Sequence, residues 1–227
     1  MATTNVTRPS GFKPLRYLSG ADWNGQSQTY AFSSSNSAAC YKYDLVIFDS
    51  TNRTAPLTDW MPALPFVASA AADVTTAAQR GVVVGFLPEP EFSMSGTASL
   101  GLMYRVGSTN RWANVVDDPS VIFEAEEEAG GYRAASNHFS GTAIGTDYVA
   151  GSTTTGVSKA TIKSSDSQTA AARPFKVLRF VPRPDNFGFA AADNPTYAKY
   201  EILPFNFDLN LAYAAATSAS ATLVIGA

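Results

Sequence analysis

The chain offers one histidine and one cysteine, so the side chains that most often serve as general base and nucleophile near neutral pH each occur once. His138 sits between Asn137 and Phe139 in a Gly- and Ser-rich stretch. No Gly-x-Ser-x-Gly elbow places a serine on a strand-to-helix turn to work with it, and it reads as a turn or interface histidine. Cys40, in Ser37-Ala38-Ala39-Cys40-Tyr41, has no base beside it in sequence and reads as a small buried apolar residue. Being single, it allows no intrachain disulfide. Carboxylates concentrate at Asp117-Asp118 and at Glu124, Glu126, Glu127 and Glu128. They lack the alternate spacing and turn glycine of a calcium loop, and structural zinc rarely uses carboxylates in place of Cys and His. Two carboxylates facing each other across a cleft would suit glycoside hydrolysis. Glu124 and Glu126 instead fall on one side of a strand, roughly 7 Å apart at about 3.3 Å per residue. A solvated strand face is the expectation, with weak Ca²⁺ binding or pairing to basic groups on a neighbour as the alternative. Gly81-Val82-Val83-Val84-Gly85 has neither the third glycine nor the lysine of a phosphate loop and reads as a strand bounded by glycines. The sequence therefore assigns no catalytic residue, no metal ligand and no cofactor, and the expectation is that the chain is not an enzyme.

The elements that would position any site are strands. Val121, Phe123 and Ala125 alternate with Ile122, Glu124 and Glu126, and Ala198, Tyr200 and Ile202 alternate with Tyr197, Lys199 and Glu201. Phe205–Tyr213 gives the longest run, with Phe205, Phe207, Leu209, Leu211 and Tyr213 on one side. Further strands are expected at Tyr41–Phe48, Gly81–Phe86, Gly101–Val106, Ala113–Val116, Lys176–Val181 and Ala221–Ile225. Turn clusters such as Asp117-Asp118-Pro119 and Arg183-Pro184-Asp185-Asn186 separate them. Ala68–Gln79 supports at most one or two helical turns, because Val74, Thr75 and Thr76 are β-branched. Residues 150–172, anchored only by Val157 and Ile162, read equally as a strand or a loop. The expected fold is all-β, a β-barrel or sandwich with long loops. An N-terminal arm takes residues 1–10, the β-rich domain 11–213 and a C-terminal arm 214–227, and any subdivision would fall near residue 150.

Charged residues make up 15% of the chain against 45% hydrophobic, where about 25% charged is usual. A surface so poor in ionic side chains suits association with other subunits. The net charge is −3 with no basic block, which argues against nucleic acid as a partner. The mostly apolar stretch Ala63–Ala72 is too short to span a bilayer, which takes roughly 20 residues, so no membrane partner is expected. No secretory signal is visible at the start, and the N-x-T sequons at Asn5 and Asn52 then carry no meaning. The fourteen Phe, ten Tyr and three Trp are spread along the chain rather than bunched into a sugar-binding platform.

Five blocks, in order, carry a resemblance. They are Arg8-Pro9-Ser10-Gly11-Phe12-Lys13-Pro14, then Ser19-Gly20-Ala21-Asp22-Trp23-Asn24-Gly25, then Gly81–Phe86 with Pro88, then Tyr104–Glu124 with Val115-Val116-Asp117-Asp118-Pro119 inside it, then Leu178 with Arg183-Pro184-Asp185-Asn186. Together they resemble capsid-associated proteins of tailed phages, small cement or decoration subunits encoded near the major capsid protein, and they span about half of the chain. Residues 31–75 and the end after Ile202 depart from the family pattern. The resemblance implies a β-rich structural virion protein, a homotrimer bound to the major capsid protein on the capsid surface. Such a protein is made in the bacterial host cytoplasm, and the resemblance carries over no catalytic residue. A phage receptor-binding or fibre-type β module is the alternative, although it would bring repeats or a coiled-coil stem that are absent here. A carbohydrate-active enzyme, resting on the acidic cluster alone, comes third.

Overall fold

The computed structural model describes residues 5, 7–49, 67–69, 79–87, 103–128, 143–147, 150–168, 174–183, 186 and 197–207, among which there is no helix. The strands, in chain order, are β1 Lys13–Tyr17, β2 Gln28–Phe32, β3 Cys40–Tyr41, β4 Leu45–Phe48, β5 Val67–Ser69, β6 Gln79–Phe86, β7 Tyr104–Arg105, β8 Arg111–Val116, β9 Val121–Glu126, β10 Ala143–Asp147, β11 Thr161–Gln168, β12 Phe175–Phe180 and β13 Lys199–Pro204. They form a six-stranded sheet β1-β9-β13-β12-β10-β11, a five-stranded sheet β2-β8-β6-β4-β5 and a small ribbon β3-β7. Every strand pair is antiparallel. The all-β reading holds.

Both large sheets curl. Past the end of β9, Glu127 bridges Ile162 of β11, and the Glu128 amide donates to the Ile162 carbonyl at 3.0 Å. The second strand of the six-stranded sheet thus returns to its far edge. In the other sheet the edge strands β2 and β5 approach each other. Curling of this kind follows from strand twist, and the bulges at Leu15, in β6 and at Leu178 strengthen it.

The alternation read from the sequence decides what each face buries. Val121, Phe123 and Ala125 of β9 and Ala198, Tyr200 and Ile202 on and just before β13 enter one core, with Phe12, Phe175, Val177, Phe180 and Ile162. Phe175 lies at its centre, stacked on Phe12 at 5.0 Å and edge-on to Phe123 and Phe207. The five-stranded sheet is apolar on both sides. Leu45, Val82 and Val116 join that first core, while Tyr30, Phe32, Val46, Val83, Ala113 and Val115 enclose a second one with Cys40. Cys40 is buried, as its apolar neighbours suggested. Gly81 lies so close to the Val116 carbonyl that a β-carbon there would collide with it, so this glycine serves strand packing.

Several expected elements differ. Tyr41–Phe48 is two strands, because Tyr43 has φ 73° and turns the chain between β3 and β4. Of the candidate helical segment Ala68–Gln79, Ala68 and Ser69 belong to β5 and Gln79 opens β6, and residues 70–78 lie outside the described residues. Of residues 150–172, Thr161–Gln168 is an edge strand, and the Ser152–Gly156 loop before it is closed by its own backbone bonds. The run from Phe205 does not continue β13. The amides of Phe205 and Asn206 both turn to the Pro174 carbonyl, so Phe207 enters the core while the Phe205 ring lies under the Lys176 ammonium at 3.9 Å. Residues 208–227, including the expected C-terminal arm and its Ala221–Ile225 strand, lie outside the described residues.

Turns form at both clusters, closed by the Val121 amide on the Asp118 carbonyl in the first and the Asn186 amide on the Arg183 carbonyl in the second. Asp118, not Asp117, accepts from the Ser120 amide and hydroxyl at 2.8 and 2.7 Å, and Asp117 instead accepts from the Tyr30 hydroxyl at 2.6 Å. The amide of Asn186 closes a turn onto the Arg183 carbonyl. Its side chain donates to the Val181 and Lys199 carbonyls and accepts from the Lys199 amide, each at 2.9 Å. Asn186→Ala should therefore cost about 2 kcal/mol in urea unfolding, since it strands the Lys199 amide at the start of β13, while the Val181 and Lys199 carbonyls keep the Arg183 and Val181 amides as donors. Asp118→Ala, which frees partly exposed groups, should cost about 1 kcal/mol.

Candidate interaction face

Among the described residues, ion pairs gather on the side of the six-stranded sheet that faces away from its core. Register places Lys13 opposite Glu124, Arg16 opposite Ile122, Lys199 opposite Glu126, Glu201 opposite Glu124 and Arg179 opposite Glu201. Paired residues on antiparallel strands point to the same side, so all these side chains share one face. Glu124 and Glu126 do lie on one face of β9, as the alternation required. They are not solvated: both are buried, and their partners belong to this chain rather than to a neighbour.

Three carboxylates organise this face. Glu201 takes both forks of Arg179, Nε and Nη2 at 2.9 Å, and Nη2 of Arg16 at 2.6 Å. Burial pushes its carboxyl up, but the hydrogen bonds and charges of the two arginines outweigh burial and hold it below the usual range. Glu124 pairs with Arg183 and more distantly with Lys199 at 4.0 Å. Glu126 receives the N-terminal segment, with the Arg8 amide at 2.9 and 3.1 Å from its two oxygens and the Thr7 hydroxyl at 3.2 Å. Burial moves the Glu126 carboxyl up, and these donors together with the Lys199 charge oppose the shift. The described part of the expected N-terminal arm is thus seated on the sheet. The anions lie beneath the cations: the Arg179 and Arg183 side chains are 45% and 42% exposed, those of Glu201 and Glu124 6% and 8%.

A second feature lies at the β3-β7 ribbon. Arg105 is fully buried and donates only to carbonyls, those of Thr109, Ala38, Ser33 and Asn36, at 2.5 to 2.9 Å. Its guanidinium also lies over the Phe32 ring at 5.0 Å. The arginine locks the uncharged loops 33–38 and 106–110 together. Beside it Met103 and Val106 are exposed, two of the three large hydrophobics that are so among the described residues. Sequence reading passed over Arg105, although an arginine inside a predicted strand between Tyr104 and Val106 is a signal that a cation must find partners indoors.

The third feature is a buried carboxyl, Asp44. Its Oδ2 accepts from the Tyr41 amide at 2.8 Å, the Ser158 hydroxyl hydrogen-bonds the carboxyl, and Oδ1 has no partner. Nothing cationic sits beside it to favour ionisation.

Those of the residues first weighed for chemistry that are described do not assemble into one site. Cys40 is in the second core, Asp117 is tied to Tyr30, and His138 lies outside the described residues. Among the described residues no group of three or more His, Cys, Asp or Glu is placed to hold a metal ion. Comparison with family models, curated proteins and solved structures finds no match.

Burial raises the Asp44 carboxyl from 3.8 to about 7. A folded-state value above the unfolded one stabilises the neutral form. That stability is complete below about pH 4, falls as pH rises through the window between the two values, and is gone above about 7. The gap corresponds to about 4 kcal/mol at most. Asp44→Asn should match the parent near pH 4 and exceed it in urea unfolding near pH 8. Parallel pH curves for the two proteins would show that Asp44 ionises as it does in the unfolded chain.

Proposed function

We propose that this chain is a capsid cement or decoration subunit, a structural protein that binds the outside of a tailed-phage shell through the major capsid protein and stabilises it. In this reading it is made in the bacterial host cytoplasm, acts on the virion surface as a homotrimer and performs no catalytic step. The observation that carries the reading is where the blocks resembling that family lie. Arg8 and Lys13 from the first block, Glu124 from the fourth, and Arg183 and Asn186 from the last are far apart in sequence, yet they meet around β9. Blocks shared for the sake of one joint in the fold, with its exposed cationic side, fit a protein whose business is contact rather than turnover. The low charge and the exposed, rigidly backed Met103 and Val106 support the same class.

Gel analysis of purified virions tests the proposal. The chain should appear in a fixed, high ratio to the major capsid protein. Purified protein added to undecorated capsids should restore that ratio and raise the temperature at which the shells come apart. Absence from virions together with failure to bind such shells would overturn the reading.

A further inference from the structure

We infer that Asn24-Gly25 is a self-modifying site, at which the Tyr17 hydroxyl promotes loss of ammonia from the Asn24 side chain through an internal imide. The inference stands apart from the proposed function and concerns the loop between β1 and β2.

This is the one Asn-Gly pair in the chain. Asn24, Gly25 and Gln26 are all exposed. The Asn24 Oδ1 accepts two hydrogen bonds, from the Tyr17 hydroxyl at 2.9 Å and from the Gln26 amide at 3.0 Å. That amide can only donate, so the side-chain oxygen and not Nδ2 faces it. The hydroxyl also reaches Gln26 Oε1, but only at 3.5 Å, so its proton goes to Asn24. The ring closed by the Gln26 bond contains the Gly25 nitrogen, which folds the carboxamide back beside its nucleophile. Gly25 has φ 87°, a conformation glycine adopts freely, and nothing lies within 4 Å of where a β-carbon would stand. Neither the Gly25 amide nor Asn24 Nδ2 has a hydrogen-bond partner among the described residues.

The reaction needs only water. The Gly25 nitrogen gives its proton to solvent and attacks Asn24 Cγ, closing a five-membered ring. Negative charge gathers on Oδ1 in that tetrahedral centre, between the Tyr17 hydroxyl and the Gln26 amide. Two placed donors at the atom where charge develops are the arrangement that speeds acyl transfer. The centre collapses as the Cγ–Nδ2 bond breaks, and Nδ2 takes a proton from water and leaves as ammonia. Water then opens the imide at either carbonyl, leaving aspartate or isoaspartate at position 24.

Both products disturb the loop. Each adds a negative charge. Isoaspartate also puts an extra methylene into the backbone between Trp23 and Gln26, which are joined by the indole Nε1 on the Gln26 carbonyl at 3.2 Å. Residues 21–23 cover the outer edge of β1, with the Tyr17 amide on the Ala21 carbonyl and the Trp23 amide on the Leu15 carbonyl. The modification therefore loosens the cover of a sheet edge.

Incubation of the full chain at physiological pH and temperature tests this, read by peptide mass spectrometry and isoaspartyl methyltransferase labelling. Asn36-Ser37 is the internal reference. Its Oδ1 accepts from the Ala38 amide at 3.0 Å in the same kind of turn, but from no hydroxyl among the described residues. Asn24 should convert roughly tenfold faster than Asn36 or more, having one donor more on its oxygen and no side chain on its successor. Tyr17→Phe should slow Asn24 by roughly threefold to tenfold, the factor that one exposed hydrogen bond supplies, and leave Asn36 unchanged. An unchanged or faster rate at Asn24 would overturn the inference, because the hydroxyl would then only restrain the side chain. So would an Asn24 that is stable in the folded chain yet converts in a peptide of residues 22–27. Circular dichroism checks that Tyr17→Phe is folded. If it is not, the comparison with that peptide decides, and the folded chain should be the faster of the two.

Discussion

The turn at Lys42–Asp44 is where the sheets of this protein are joined, and its geometry constrains all of them. The Tyr43 carbonyl accepts from the Phe12 amide, which fixes the entry to β1, and the Tyr43 amide donates to the Val83 carbonyl in β6. The Val83 amide returns to the Asp44 carbonyl, while Lys42 exchanges bonds with Gly156 and Ser158 of the loop before β11. Tyr43 can serve both sheets only with its positive φ, and Gly11 must approach the Tyr43 carbonyl and Ser158 so closely that a β-carbon would collide with both. Gly11 is itself in the left-handed region, which glycine enters without penalty. The buried Asp44 carboxyl sits under this turn and ties back to Tyr41. Its burial without a counter-charge is a local cost that the surrounding backbone bonds and the two apolar cores offset.

What was legible in the sequence was what a period of two can encode. The inward sides of β9 and β13 were read residue by residue, and β6, β8 and β12 were expected as strands, because each has one or two apolar faces that the pleat sorts automatically. The elements that were missed have no such pattern. β1, Lys13-Pro14-Leu15-Arg16-Tyr17, is interrupted by a proline and a bulge. β2 shows its alternation only once Tyr30 and Phe32 are known to share a face, and β11, Thr161–Gln168, stayed open between strand and loop because it is mostly polar at a sheet edge. The break at Tyr43 was invisible, since nothing about a tyrosine announces a left-handed conformation that tertiary bonds impose.

The ionic face was half legible for a different reason. Alternation placed Glu124 and Glu126 on one side of β9, but it could not say that β13 would set Glu201 beside Glu124 or that β12 and β1 would bring Arg179 and Arg16. Solvation is the reasonable expectation for two glutamates on an isolated strand. It fails once four strands are paired, because long arginine stems then cover the carboxylates and exclude water. Pairings of this kind depend on register between segments up to 185 residues apart, which local sequence does not contain.

That register carries a conflict which explains the density of arginine here. Glu124 and Glu201 are direct neighbours across β9 and β13, an arrangement of like charges that ordinarily destabilises a sheet. Arg16 from one side and Arg179 from the other hold Glu201, and Arg183 with Lys199 holds Glu124. Each cation is therefore fixed by an anion it cannot leave without exposing a buried charge, and such a departure costs several kcal/mol. A one-residue slip of β13 would turn Glu201 and Lys199 into the core and bring Tyr200 and Ile202 out, so the ion pairs and the apolar side specify the same register. The guanidiniums of Arg16 and Arg179 consequently stand in fixed positions on paired strands.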